Sequence, residues 1–166
     1  MTLPRATRFF TAGHWPAKQA VGSVTLGFDD RHRRRVRLSL DDGLGDFMLD
    51  LARAERLGDG DGLLLGDGRY VLVRAQAEDV MDIVAAHPRD AIRIAWHLGN
   101  RHLPVQVLDG GGLRLRYDHV IEHMAHDLGG KVERRMDVFT PEPGAYEGAH
   151  AHGHDHQHGH SHSHDE

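Results

Sequence analysis

Apolar and polar positions alternate along the first half of the chain. Val36, Leu38 and Leu40 are interleaved with Arg35, Arg37 and Ser39, the period of a strand with one buried face. Residues 21–28, 47–51, 63–65 and 70–73 read as further strands. Between them, Asp41, Asp42 and Gly43, then Asp59 to Gly62, then Gly66 to Gly68, supply turn chemistry. Short strands with such frequent turns predict a small barrel or sandwich.

The period changes after Gln76. Residues 80–85 read as a strand, and Pro88 takes a favoured first-turn position of a helix. Ala91, Ile94, Ala95 and Leu98 then fall at i, i+3, i+4 and i+7, and Gly99 is expected to end that helix. Strands are expected at 103–108 and 113–117, with a turn from Asp109 to Gly112 between them. Asp118 is an expected N-cap for a second helix that turns Ile121, Met124, Ala125 and Leu128 inward and stops at Gly129 and Gly130. Residues 131–139 read as the last strand. The order β-α-β-β-α-β is that of a ferredoxin-like domain. The expected fold class is α+β: a small all-β domain over 1–76, a ferredoxin-like metal-binding domain over 77–143, and a disordered histidine-rich tail over 144–166.

The tail changes the functional picture most. His150, His152, His154, His156, His158, His160, His162 and His164 alternate with Ala, Gly, Asp, Gln and Ser. No side chain there can build a core, so disorder is expected. Alternating imidazoles give overlapping chelates for Ni(II), Zn(II) or Cu(II). A purification tag is normally an unbroken run, whereas this one is interrupted and carries acids. Imidazoles protonate near pH ~6.5, so capture of ions by the tail should weaken in mild acid.

Charge and cysteine content narrow the classes. The formal net charge is −5, of which Glu147, Asp155, Asp165 and Glu166 account for all but about one unit, so the balance does not suggest a nucleic-acid partner. With no cysteine, disulfides and thiolate metal sites are excluded, and Ni(II) or Zn(II) is favoured over Cu(I). No apolar run approaches the ~20 residues of a membrane span, and the first residues lack a signal-peptide core, so a cytoplasmic protein is expected.

Three clusters in the folded part carry candidate chemistry. In the first, from His97 to His102, spacing alone favours an ordinary surface histidine at the helix–strand connection. A ligand held between two rigid elements is the alternative. The second places His119, Glu122, His123 and His126 on one helix face, read equally as a metal chelate or a solvated polar face. It lacks the HExxH order of a zinc hydrolase. The third runs from Arg31 to Arg37. It is expected to be a solvated or partner-docking cluster at a hairpin turn, offset by Asp29, Asp30, Asp41 and Asp42, with RNA as the rival partner.

Taken in order, these features resemble the UreE family of urease accessory nickel chaperones. His97-Leu-Gly-Asn-Arg-His102, followed by Pro104 and Gln106, is similar to the family's segment around its interface metal ligand. Arg116-Tyr-Asp-His-Val120 resembles the segment opening the second helix. Leu40 to Gly43 and the Asp59 to Gly62 turn resemble the family's peptide-binding-like N-terminal domain. The resemblance implies a homodimer through the ferredoxin-like domain, with His102 of both copies holding one Ni(II) across the two-fold axis. It implies peripheral binding at His119. Tyr117 stands where some members place a further histidine, and His123 is a substitute on the same face. It further implies delivery of nickel to an accessory GTPase, UreG, and with it to the urease apoprotein–accessory complex. Gly110 to Gly112 lack the Lys-Ser/Thr of a phosphate loop, so no catalysis by this chain is expected. The alternative function is a general histidine-rich nickel or zinc store.

Overall fold

The computed structural model describes residues 3–143, so the expectations placed on 144–166, including all eight tail histidines, lie outside the described residues. Six strands form the first sheet: β1 (Arg5–Phe10), β2 (Ala20–Leu26), β3 (Arg35–Ser39), β4 (Asp46–Asp50), β5 (Gly62–Leu65) and β6 (Tyr70–Ala75), in the order β2-β6-β5-β1-β4-β3. Alternation turns Val24, Leu38, Leu49, Leu63, Val71 and Val73 into one buried cluster. The outermost strands approach each other where the chain leaves β3. Asp41 N donates to Ser23 O at 2.9 Å, and Leu40 packs on Gly22. The sheet is thus a curled, partly closed barrel, which limits its exposed edges.

β1 was not among the strands expected, yet it lies inside the sheet between β5 and β4. Ala6 is buried and Phe9 packs against the same core, but an irregularity between Ala6 and Arg8 sets them three residues apart, so the strand lacks a period of two.

The second sheet contains β7 (Ala77–Ala85), β8 (Gln106–Val107), β9 (Leu113–Arg116) and β10 (Gly130–Val138), with α1 (Pro88–Asn100) between β7 and β8 and α2 (His119–Asp127) between β9 and β10. The strand order is β10-β7-β9-β8, and every neighbouring pair is antiparallel. Both helices pack on one face, where Met81, Ile83, Ile94, Leu98, Leu115, Ile121 and Ala125 form the core. Asp118 caps α2 by accepting from Val120 N and Ile121 N, as its position predicts. The strand expected at 103–108 shortens to Gln106–Val107, and Pro104 has no N–H to give a ladder.

The two sheets meet at a small third core of Phe28, Val80 and Phe139, with the two phenyl rings edge-on at 5.2 Å. Phe28 N donates to Glu78 Oε2 at 3.0 Å, and Arg116 reaches Asp29 at 2.8 Å. Arg31 is only 1% exposed. It donates to Leu57 O at 3.2 Å and to Phe139 O, bridging the sheets. This corrects the reading of a solvated cluster at Arg31 alone; His32, Arg33, Arg34, Arg35 and Arg37 are exposed, as that reading expects. Arg33 pairs with Asp30, Arg35 with Asp50 and Arg37 with Asp46, while Arg34 donates to Leu51 O. Beyond β10, residues 139–143 form a strap. Thr140 N donates to Gln106 Oε1 and Glu142 N to Val105 O, each at 2.9 Å.

Candidate metal site

The end of α1 decides how His102 is presented. Gly99, expected as the stop, lies inside the helix, which runs to Asn100 and is capped by Arg101. His102 is the next residue, and its φ is +54°, the only positive φ of a non-glycine among the described residues. A helix usually fills this position with glycine, because a Cβ is disfavoured in the left-handed region. α2 does so: Leu128 caps it and Gly129 follows with φ +87°. His102 N donates to Gly99 O at 3.0 Å, so the turn is completed while the imidazole points out of it, exposed. Strained backbone at a polar side chain is a physical reason to suspect function.

The surroundings of His102 are apolar and open. It shares a hollow of about 470 Å³ with Ala95, Gly99, Val107, Glu142 and Arg56. Ile92, Ala95, Trp96 and Gly99 fall at i, i+3, i+4 and i+7 and are all exposed, Ile92 at 69% and Trp96 at 63%. Of the expected set, Ile94 and Leu98 are buried and Ala91 is half-buried, but Ala95 belongs to the outer stripe. α1 therefore has two apolar faces, and the described residues cover only one of them. Trp96 also meets the His97 ring edge-on at 4.9 Å.

On α2 the structure brings together less than the spacing suggested. His119, His123 and His126 are exposed and Glu122 is half-buried, while Ile121 and Ala125 face inward. Two members of the cluster are engaged elsewhere. Glu122 accepts from Tyr117 OH at 2.9 Å, and His126 Nδ1 lies 3.2 Å from Gly130 O. That hydrogen bond to Glu122 pushes the Tyr117 hydroxyl above the ordinary tyrosine value. The Arg134 guanidinium covers the Tyr117 ring at 3.7 Å. His119 and His123 remain as a surface pair one turn apart. Among the described residues, no three His, Asp or Glu side chains converge on a point that could hold an ion. The described residues of one copy thus offer at most one or two imidazoles at any one place.

Ile92, Trp96 and Glu142 were not singled out from sequence. The first two carry a readable signal, an i, i+4 apolar pair offset from the core positions. Glu142 sits between two prolines that read only as the end of a domain.

The geometry defines a two-sheet protein whose surface histidines include one fixed at a helix terminus beside an uncovered apolar stripe. Residues 5–76 match the description "UreE urease accessory protein, N-terminal domain", and residues 78–164 match "UreE urease accessory protein, C-terminal domain". Urease accessory protein UreE of Bradyrhizobium sp. strain BTAi1 is 51% identical over 148 residues, 89% of this chain and 70% of that protein. UreE of Rhodopseudomonas palustris strain BisB18 is 49% identical over 86% of this chain and 66% of its own, and that of Bordetella pertussis strain Tohama I is 44% identical over 84% and 67%. The chain belongs to the UreE family of urease accessory proteins. Among the described residues, no helix is long and apolar enough to cross a membrane.

Proposed function

We propose that this protein is a cytoplasmic nickel metallochaperone. It binds Ni(II) as a homodimer and delivers it, with accessory proteins including a GTPase, for assembly of the urease active site. Residues 77–143 serve as the ferredoxin-like metal-binding domain, 1–76 as the peptide-binding-like domain, and 144–166 as the ion-collecting tail. The observation that carries the reading is His102, held in a glycine-type backbone at the end of α1 next to an exposed apolar stripe. A second copy packed on that stripe covers Ile92 and Trp96 and brings two His102 imidazoles together. Two imidazoles leave positions open on a Ni(II) ion, so it can be accepted from tail histidines and passed on. Zn(II) and Cu(II) suit the same donors in vitro. His119 and His123 supply a weaker surface site.

The test is a nickel titration, followed by native mass measurement, on the full chain and on a chain ending at Gly144, each with and without His102→Ala. A chaperone of this kind keeps one tight ion per dimer after truncation and loses it with His102→Ala. If truncation removes all tight binding, the protein is a histidine-rich store. If the truncated His102→Ala protein keeps its ion, the His119 and His123 pair becomes the site.

A further inference from the structure

Among the described strands that form sheet edges, β10 is the longest, with nine residues from Gly130 to Val138. It pairs with β7 along its whole length without a register shift. Among the described residues, no backbone hydrogen bond joins residues 131–137 to anything but β7. An open row of N–H and C=O groups accepts another strand, and proteins blunt such edges with proline, bulges or short length. β10 has none of these. Charges stand along it instead, and their signs are mixed.

Side chains alternate between the two faces of the sheet. Val132, Arg134 and Met136 lie on the helix side, where Val132 joins the core and Met136 stays 66% exposed. Lys131, Glu133, Arg135 and Asp137 lie on the other face, Arg135 beside Asp82 and Asp137 beside Arg114. When two copies of one edge pair antiparallel about a two-fold axis, one residue faces itself and the rest pair outward from it. With the axis at Arg134, Lys131 faces Asp137 of the second copy, Glu133 faces its Arg135, and Val132 faces its Met136. Gly130 then faces Val138, so the whole strand is used. Every charged pair on the open face has opposite signs, and each occurs twice by symmetry. Moving the axis by one residue destroys the match. At Glu133 it sets Lys131 against Arg135, and at Arg135 it sets Glu133 against Asp137. Like charges directly opposite are destabilising. The one like pair at the matched register is Arg134 with itself. Its guanidinium is already neutralised by Asp79 at 2.9 and 2.7 Å and lies on the Tyr117 ring, drawn back toward β7.

We infer that β10 is a self-complementary docking edge. It pairs antiparallel with β10 of a second copy about Arg134, joining two four-stranded sheets into one. The contact uses no residue of the outer stripe of α1 and no metal. α2 packs over β10, so pairing sets the two α2 helices, with their exposed His119 and His123, on one face of the joined sheet. Strand pairing alone covers less than the ~1,200 Å² of a stable interface, so the association is weak and appears at high concentration.

The test is sedimentation equilibrium of the full-length protein in low salt with chelator, from ~10 μM to ~1 mM. The wild-type mass should double across that range. Lys131→Glu and Glu133→Lys set like charges against Asp137 and Arg135 and should raise the concentration needed roughly tenfold. Lys18→Glu, the same charge change on an exposed residue before β2, should not. Ile92→Asp with Trp96→Asp, which removes the α1 contact, should keep the step. The chain has no cysteine, so single cysteines report the register. Arg134→Cys faces itself at about 5 Å between Cβ atoms and should give a disulfide-linked pair on oxidation. Met136→Cys lies about 14 Å from its own copy and should not. A wild-type mass that stays constant overturns the inference. So does a step that Lys131→Glu and Glu133→Lys shift no further than Lys18→Glu does, or one lost with the α1 variant. A disulfide at Met136→Cys in place of Arg134→Cys overturns it as well. The charge variants decide the matter if Arg134→Cys fails to fold.

Discussion

The backbone amide of Thr25 donates to Oδ1 of Asp41 at 2.8 Å, joining the two outermost strands of the six-stranded sheet. The hydroxyls of Ser23 and Thr25 donate to the other oxygen, at 2.7 and 3.0 Å. One carboxylate thus holds the closure of the barrel. Partial burial pushes the Asp41 pKa up, but these hydrogen bonds outweigh it and hold the carboxyl below its ordinary value of 3.8. The stabilisation is therefore fully present above that value and is lost as pH falls through the folded-state pKa. Asp41→Ala should cost about 1 kcal/mol at neutral pH, since the site is exposed. Urea unfolding of both proteins at about pH 7 and about pH 3 checks this. The gap should shrink at the lower pH, and an equal gap at both would refute the role of the ionised form.

Two ion pairs of β9 should differ sharply in worth. Arg114 on β9 faces Asp82 on β7, bonded at 2.6 and 2.9 Å, with side chains only 9% and 11% exposed. Removing one partner there leaves a buried charge, so Asp82→Ala should cost about 3 kcal/mol. Arg114 keeps Asp137 and Val138 O, which sets the loss below the usual upper range. Arg116 and Asp29 form an exposed pair, and Asp29→Ala should cost less than about 0.5 kcal/mol. Denaturant midpoints of the two variants measured side by side decide it.

The outer stripe of α1 predicts an effect on assembly without an effect on folding. Ile92 and Trp96 are already exposed, so charges there disturb no core. Ile92→Asp with Trp96→Asp should shift sedimentation from dimer to monomer and change stability by no more than about 0.5 kcal/mol. A dimer that survives both substitutions would have its contact elsewhere.

Much of the fold was legible because alternation, turn glycines and the Asp118 cap are local signals. Failures came where the deciding contact is remote. Arg31 looks solvated among its basic neighbours, and nothing nearby announces that Leu57 and Phe139 surround it. β1 was missed because an irregularity between Ala6 and Arg8 puts its two inward residues, Ala6 and Phe9, out of a period of two. Ala95 was misplaced because alanine fits either side of a helix. His102 was singled out by family resemblance and not by spacing, and its left-handed backbone was hidden, since that conformation ordinarily announces itself through glycine or asparagine.

Position 102 also sets a contest between folding and chemistry. An L-residue in the left-handed region carries roughly 1 kcal/mol of strain that glycine escapes. His102→Gly should therefore be more stable than His102→Ala by about 1 kcal/mol in thermal or urea unfolding, although both lack the imidazole. Equal stabilities would mean that the turn bears no strain. Under random mutation filtered for robustness alone, this codon would drift to glycine, as the matching site after α2 already stands. A histidine there stands against that drift, and the fold lives with the handicap.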